Sequence, residues 1–182
     1  PIDASKAASI LRNRKGVGGA ELGLANEMAI NQFIAHHSVI FQPEKKLMWV
    51  STSPWQCGKY VAYDLNKIFS DSIDFSHEIH TEPLTLAADS FLQQREYQQL
   101  LIYKELIPVL RKHIKKKERL DEQTLHAFQH ANPHFFYVYE LLGDYYHATG
   151  QQNKAIRNWK KALSLPIPKQ SESERIEHKI NN

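Results

Sequence analysis

Three strand-like bursts crowd into residues 38–63, and they are too few to close a core by themselves. Ser38-Val39-Ile40-Phe41 and Leu47-Met48-Trp49-Val50-Ser51 are rich in β-branched and aromatic side chains, with the polar Gln42-Pro43-Glu44-Lys45-Lys46 between them. That pattern predicts a β-hairpin. Tyr60-Val61-Ala62-Tyr63 adds a third burst after the loop Ser53-Pro54-Trp55-Gln56-Cys57-Gly58. A sheet this small buries too little apolar surface to offset the entropy of ordering its backbone. The segment is therefore expected to need a partner layer.

The rest of the chain reads as helix and loop. Asp3 or Ser5 can cap a first helix through Ile10 and Leu11, with Gly16 as its stop. The run Gly16-Val17-Gly18-Gly19-Ala20-Glu21-Leu22-Gly23 fails the dinucleotide fingerprint, because Glu21 stands at the third glycine and no strand precedes it. It reads as a connecting loop. Residues 70–82 are polar and are expected to link two regions, 1–69 and 83–182. After Pro83, Leu86, Phe91, Tyr97, Leu100, Leu101 and Tyr103 take helical spacing, continued by Ile107, Val109, Leu110 and Ile114. Pro108 is expected to kink or divide that segment. Asp121 should cap a short helix over Glu122–His130, and Asn132-Pro133 should open the next.

The stretch YVYELLGDYYHATGQQNKAIRNWKKALSLP resembles a tetratricopeptide repeat. Tyr139, Leu142, Gly143, Tyr146, Gly150, Ala155, Trp159 and Ala162 keep that repeat's spacing, and Pro166 closes it one residue early. Small residues at Gly143 and Ala155 let two antiparallel helices approach, Tyr146 and Trp159 fill the space around them, and Gly150 suits the turn. A degenerate earlier copy is expected around 84–114, and Ser171 with Glu174 forms a capping box for a last helix reaching Ile180.

The helix PIDASKAASILRNRKG, the run AINQFIAHHSVIF, the run WVSTSPWQCGKYVAYDL and the helical tail together resemble the C-terminal end of acyl-CoA:6-aminopenicillanic-acid acyltransferase-like enzymes, a family of N-terminal-nucleophile hydrolases. The resemblance covers nearly the whole chain. It implies an α+β fold in which 1–69 is the incomplete C-terminal portion of an αββα sandwich and 83–182 a helical, repeat-like domain. It also implies amide hydrolysis or acyl transfer by a cysteine that self-cleavage exposes at a new chain end. There the free α-amino group, with a pKa of roughly 7.7–8.0, serves as base for its own thiol. That cysteine lies upstream of anything in this chain, which opens on Pro1 rather than Met. No catalytic residue is therefore expected here, and the missing N-terminal half is the expected partner. Cys57 is internal, lacks such an amine, and reads as a small buried hydrophobe.

Asn31, Gln32, His36, His37 and Ser38 are the candidates for lining the family's pocket. In a strand, His36 and His37 would point to opposite faces, so one of them would face the interior. A pocket role and a hydrogen-bonded structural role both remain open for it. His126 and His130 share a helical face, but HAFQH lacks the glutamate of a zinc-protease motif, and His77 and His80 fall in the linker. No cofactor or metal is expected.

Composition bounds the remaining classes. The 182 residues carry 23 basic and 20 acidic side chains, a formal +3, too little to argue for nucleic acid or an anionic membrane. The basic run Lys112–Arg119 suits the negative end of a helix dipole and has no aromatic residues interleaved for stacking bases. Phe135, Phe136, Tyr137, Tyr139, Tyr145 and Tyr146 read as helix core. No apolar stretch is long enough for a membrane span, and a lone cysteine excludes an internal disulfide framework. The compartment is open, and the resemblance admits a parent that is exported or held at the cell envelope. Two function classes survive: the end of an amide-bond hydrolase or acyltransferase, or a helical module that binds a protein or peptide. Either could self-associate through the open sheet edge.

Overall fold

The computed structural model describes residues 2–70 and 76–181. The fold is α+β, with seven helices and one three-stranded antiparallel sheet among the described residues. The chain divides into two units, one made of the residues up to Arg14 with Ile30–Gln93, the other of Lys15–Ala29 with the residues from Gln94 on. Residues 83–93 thus pack with the sheet, and the glycine-rich loop packs with the helices. Part of the expected linker, residues 71–75, lies outside the described residues.

In the sheet unit, β1 (Val39–Gln42), β2 (Leu47–Ser51) and β3 (Tyr60–Asp64) follow chain order. The hairpin turn is a single 3-10 turn, Pro43–Lys45, closed by Lys46 in the left-handed region at φ 52°. Ile40, Trp49 and Ala62 stand opposite one another across the strands and form one face of the sheet. Helix α1 (Ala4–Leu11) lies on that face. Its contacts are Ala4, Ala7, Ala8 and Leu11, mostly small residues at helical spacing, so its backbone can sit close to Ile40, Trp49 and Tyr60. Asp3 caps α1 by accepting from the Lys6 amide at 2.7 Å. The helix stops at Leu11, well before Gly16, with Arg12 as its C-cap at φ −88° and ψ 1°. The Arg12 guanidinium donates to the carbonyls of Gln56, Gly58 and Ala87 at 3.2, 2.7 and 2.8 Å.

The free edge of β3 is covered by irregular chain. The Thr81 amide donates to Ala62 O at 2.7 Å, Tyr60 and Leu86 exchange backbone bonds at 3.0 and 2.9 Å, and the Trp49 indole donates to Leu84 O at 2.8 Å. A short helix α2 (Leu65–Ile68), capped by Asp64, follows β3.

In the helical unit, α3 (Arg95–Lys116), α4 (Glu122–Ala131), α5 (Phe136–Ala148), α6 (Gln152–Leu163) and α7 (Gln170–Asn181) pack around α5. That helix is buried at Phe136, Val138, Tyr139, Glu140, Leu141, Leu142, Gly143 and Tyr145, which is nearly all round. Four expectations need correcting. Helix α3 runs unbroken through Pro108, whose side chain is exposed, so the missing backbone bond falls on the solvent side, where water can serve the freed carbonyl. Because 84–93 joins the sheet and 95–116 is one helix, no second helix pair exists at 84–114. Helix α5 opens at Phe136 rather than at Asn132-Pro133, since the buried Asn132 amide bonds Leu24 in both directions, at 2.9 and 2.7 Å. Helix α7 begins at Gln170, so Ser171 is inside it and does not cap it.

Candidate functional site

Two features of the sheet unit concern function, and the first is its second face. Alternation puts Val39, Val50 and Val61 in one row and Phe41, Met48 and Tyr63 in the next, all on the side opposite Ile40, Trp49 and Ala62. Every one of these six side chains is apolar or aromatic, and none is buried. Phe41 is 62% exposed and Val39 37%. A two-sided apolar pattern of this kind is what a sheet shows when both faces are covered. Here β1 is also an edge strand, with β2 as its one neighbour among the described residues.

The second feature is the loop cluster under that sheet. Asn31 is buried, and its side-chain amide donates to Cys57 Sγ at 3.3 Å and to the Trp55 carbonyl at 3.4 Å, while its oxygen accepts from the Phe33 amide at 3.0 Å. Its own amide bonds the Asn13 carbonyl at 2.8 Å. Phe33 meets Trp55 edge-on and Phe91 at 5.5 Å, and the Arg14 guanidinium lies over Phe91 at 4.0 Å while pairing with Asp89 at 2.6 Å. Phe33, Trp55 and Gln56 hold left-handed backbone at φ 54°, 41° and 69°, conformations that non-glycine residues adopt only when their surroundings impose them. The bonds from Arg12 and Asn31 to the 55–58 carbonyls hold Trp55 and Gln56 there, and the Phe33 amide is held by the Asn31 oxygen. Burial pushes the Cys57 thiol up; the Asn31 bond works against this without cancelling it. A raised thiol is mostly protonated near neutral pH and is a poor nucleophile.

The structure does not gather the five pocket candidates into one site. Asn31 belongs to the loop cluster just described, and Gln32 beside it is half-buried. Ser38 leads into β1: its amide donates to Ser51 Oγ at 2.7 Å, and its hydroxyl bonds the Tyr60 hydroxyl. His36 and His37 precede the strand rather than lying in it, and both are exposed. The alternation expected of them does not apply, because the chain bends there before pairing begins at Val39.

In the helical unit, α5 and α6 make the close pair that the spacing predicted. A Cβ at Gly143 would stand 2.3 Å from the Trp159 ring, so the indole lies directly on the glycine backbone. Its Nε1 donates to Asp144 at 3.0 Å. Ala155, Trp159, Ala162 and Leu142 are buried with Tyr139, whereas Tyr146 is half-buried beneath the Lys154 ammonium. Gly150 makes the turn at φ 77°. Glu140 is buried at 2% exposure, with Arg175 forked onto it at 2.9 and 2.9 Å and Lys179 at 2.7 Å. Burial pushes its carboxyl up, but those two cations outweigh it and hold the carboxyl below the ordinary glutamate range.

The His126 and His130 rings stack at 3.8 Å, and His130 Nδ1 is engaged with the His126 carbonyl. Among the described residues, no group of three or more His, Cys, Asp or Glu side chains is placed to hold a metal ion, and no helix is long and apolar enough to cross a membrane. No known family, curated protein or solved structure matches the chain.

Proposed function

We propose that this chain is the closing portion of a cysteine amidohydrolase or acyltransferase of the N-terminal-nucleophile type, inactive alone, whose reactive thiol comes from a preceding part of the same protein. The observation that supports this best is the sheet's second face, apolar or aromatic at all six positions and fully buried at none, with Val39 and Phe41 exposed. In a sandwich of two facing sheets such a face packs on its opposite layer. On this reading the hairpin and β3 extend the enzyme's sheet and help wall its pocket. The absent half brings the thiolate, the α-amino base and the donors that stabilise the oxyanion. The thiolate forms a C–S bond to the acyl carbon as the substrate's amide C–N or thioester C–S bond breaks, and water or an amine then takes the acyl group. Cys57 has no part in this, being buried and held as thiol.

Mass spectrometry of the longer protein tests the reading. It predicts two chains, the second beginning with cysteine, and a single uncut chain when that cysteine is replaced by alanine. One intact mass together with no amidase activity would instead favour a helical interaction module resembling a tetratricopeptide pair. Support for that second reading comes from the helical unit, which has its own core around α5.

A further inference from the structure

The hairpin end of the sheet unit carries a cleft of about 520 Å³, walled by Phe41, Pro43 and Leu47 of the hairpin and by Leu65 and Phe69 around α2. That volume falls within the range of roughly 300–1,000 Å³ typical of small-molecule sites. Phe69 is 81% exposed and Phe41 62%, so two phenyl rings flank the cleft while facing largely into water. Apolar surface held out in this way is stabilised when something apolar lies between the rings.

One charge completes the lining. The Lys46 backbone is fixed by the turn, and its carbonyl accepts from the Leu65 amide at 2.9 Å, which ties α2 to the hairpin. Lys46 is the one charged residue among those that line the cleft, and it is exposed. Among the described residues no carboxylate lines the cleft, and the Asn66 amide there is already given to the Lys45 carbonyl and the Asp64 carboxylate at 3.4 and 3.3 Å. Apolar walls with a single ammonium complement an apolar chain that ends in an anion.

We propose that this cleft binds a free medium-chain carboxylate, its hydrocarbon between Phe41 and Phe69 and its carboxylate on the Lys46 ammonium. A cleft of this size takes one chain, which favours the monomeric acid over a bilayer. The inference concerns this chain by itself and does not need the acyl-transfer reading, although a layer packed on the face that carries Phe41 would compete with the ligand for that wall.

Calorimetric titration of the chain with decanoate, kept below its micelle concentration, tests it. Saturable binding of one molecule per chain is expected. Decanol should bind about threefold to fivefold more weakly, and Lys46→Asn should weaken decanoate by the same factor, as loss of one partly exposed ion pair implies. Asparagine tolerates the left-handed backbone at this position, so the fold survives the change. Phe69→Ala, at an exposed position, should cost about tenfold by removing an apolar wall. Four results would overturn the proposal: no saturable binding of decanoate; equal binding of decanol and decanoate; association with phosphatidylglycerol vesicles alone; or dimerisation through Phe41 and Phe69 with no decanoate taken up.

Discussion

Replacing Gly143 by alanine inverts the usual rule for helix interiors. At an exposed site the change would stabilise a helix by about 1 kcal/mol, because glycine has more backbone freedom to lose. Here the added methyl would meet Trp159 Cδ1 and Nε1 at 2.3 Å each. The indole is 2% exposed, so any shift costs it buried contacts. Overpacking of this kind costs about 1–3 kcal/mol. Moving the ring also strains or breaks its bond to Asp144, worth about 1 kcal/mol more. Setting the helix gain against these costs leaves a net loss of about 2 kcal/mol. Urea unfolding followed by far-ultraviolet circular dichroism would show a lower midpoint with unchanged slope. Trp159→Leu supplies the control: with the indole gone the methyl fits, and Gly143→Ala in that background should be neutral or stabilising by up to about 1 kcal/mol. A single Gly143→Ala variant as stable as the parent chain would refute the idea that direct contact sets the α5–α6 spacing.

Glu140 gives a pH signature. Its carboxyl is held below the ordinary range, so the stability it contributes is present above the unfolded value and is lost as pH falls through the folded one. Glu140→Gln should cost about 2–3 kcal/mol at neutral pH, and the gap from the parent should narrow below about pH 4, as measured by unfolding titrations across that range. A gap that does not change with pH would show that the cations do not act through charge. Cys57 should react with iodoacetamide at least about a hundredfold more slowly in the native chain than in urea; equal rates would contradict its burial. Arg12→Lys keeps the charge but cannot span three carbonyls, and should destabilise the sheet unit by about 2 kcal/mol in thermal melts, whereas an unchanged midpoint would remove Arg12 as the loop's organiser.

The hairpin and β3 were legible because β-branched and aromatic runs with a polar turn leave few alternatives, and the α5–α6 pair because small residues at 143 and 155 have no other use at that spacing. Features held by single long-range bonds were not legible. Residues 81–86 lie along β3 through a backbone exchange at Leu86 and an indole bond to Leu84, neither of which leaves a period in the sequence. Residues 15–29 join the helices through amides that look like ordinary loop residues: Asn26 donates to the Leu22 and Pro166 carbonyls, and Asn132 pairs with Leu24. The same mechanism decided the candidate site. Asn31 was singled out from its neighbourhood in the sequence, but its partners Trp55 and Cys57 could be found only by folding the chain. His36 and His37 adjoin a strand without belonging to it, since strand pairing begins at Val39, two residues after His37.

The most direct test of the account is hydrogen exchange over residues 38–65, compared between this chain and the longer protein of which it would form the end. If the apolar face and the β1 edge are completed by another layer, amides at Val39 and Phe41 should gain at least about a hundredfold in protection in the longer protein. Identical exchange in the two would contradict the account, because the sheet would then be as complete alone as it ever becomes.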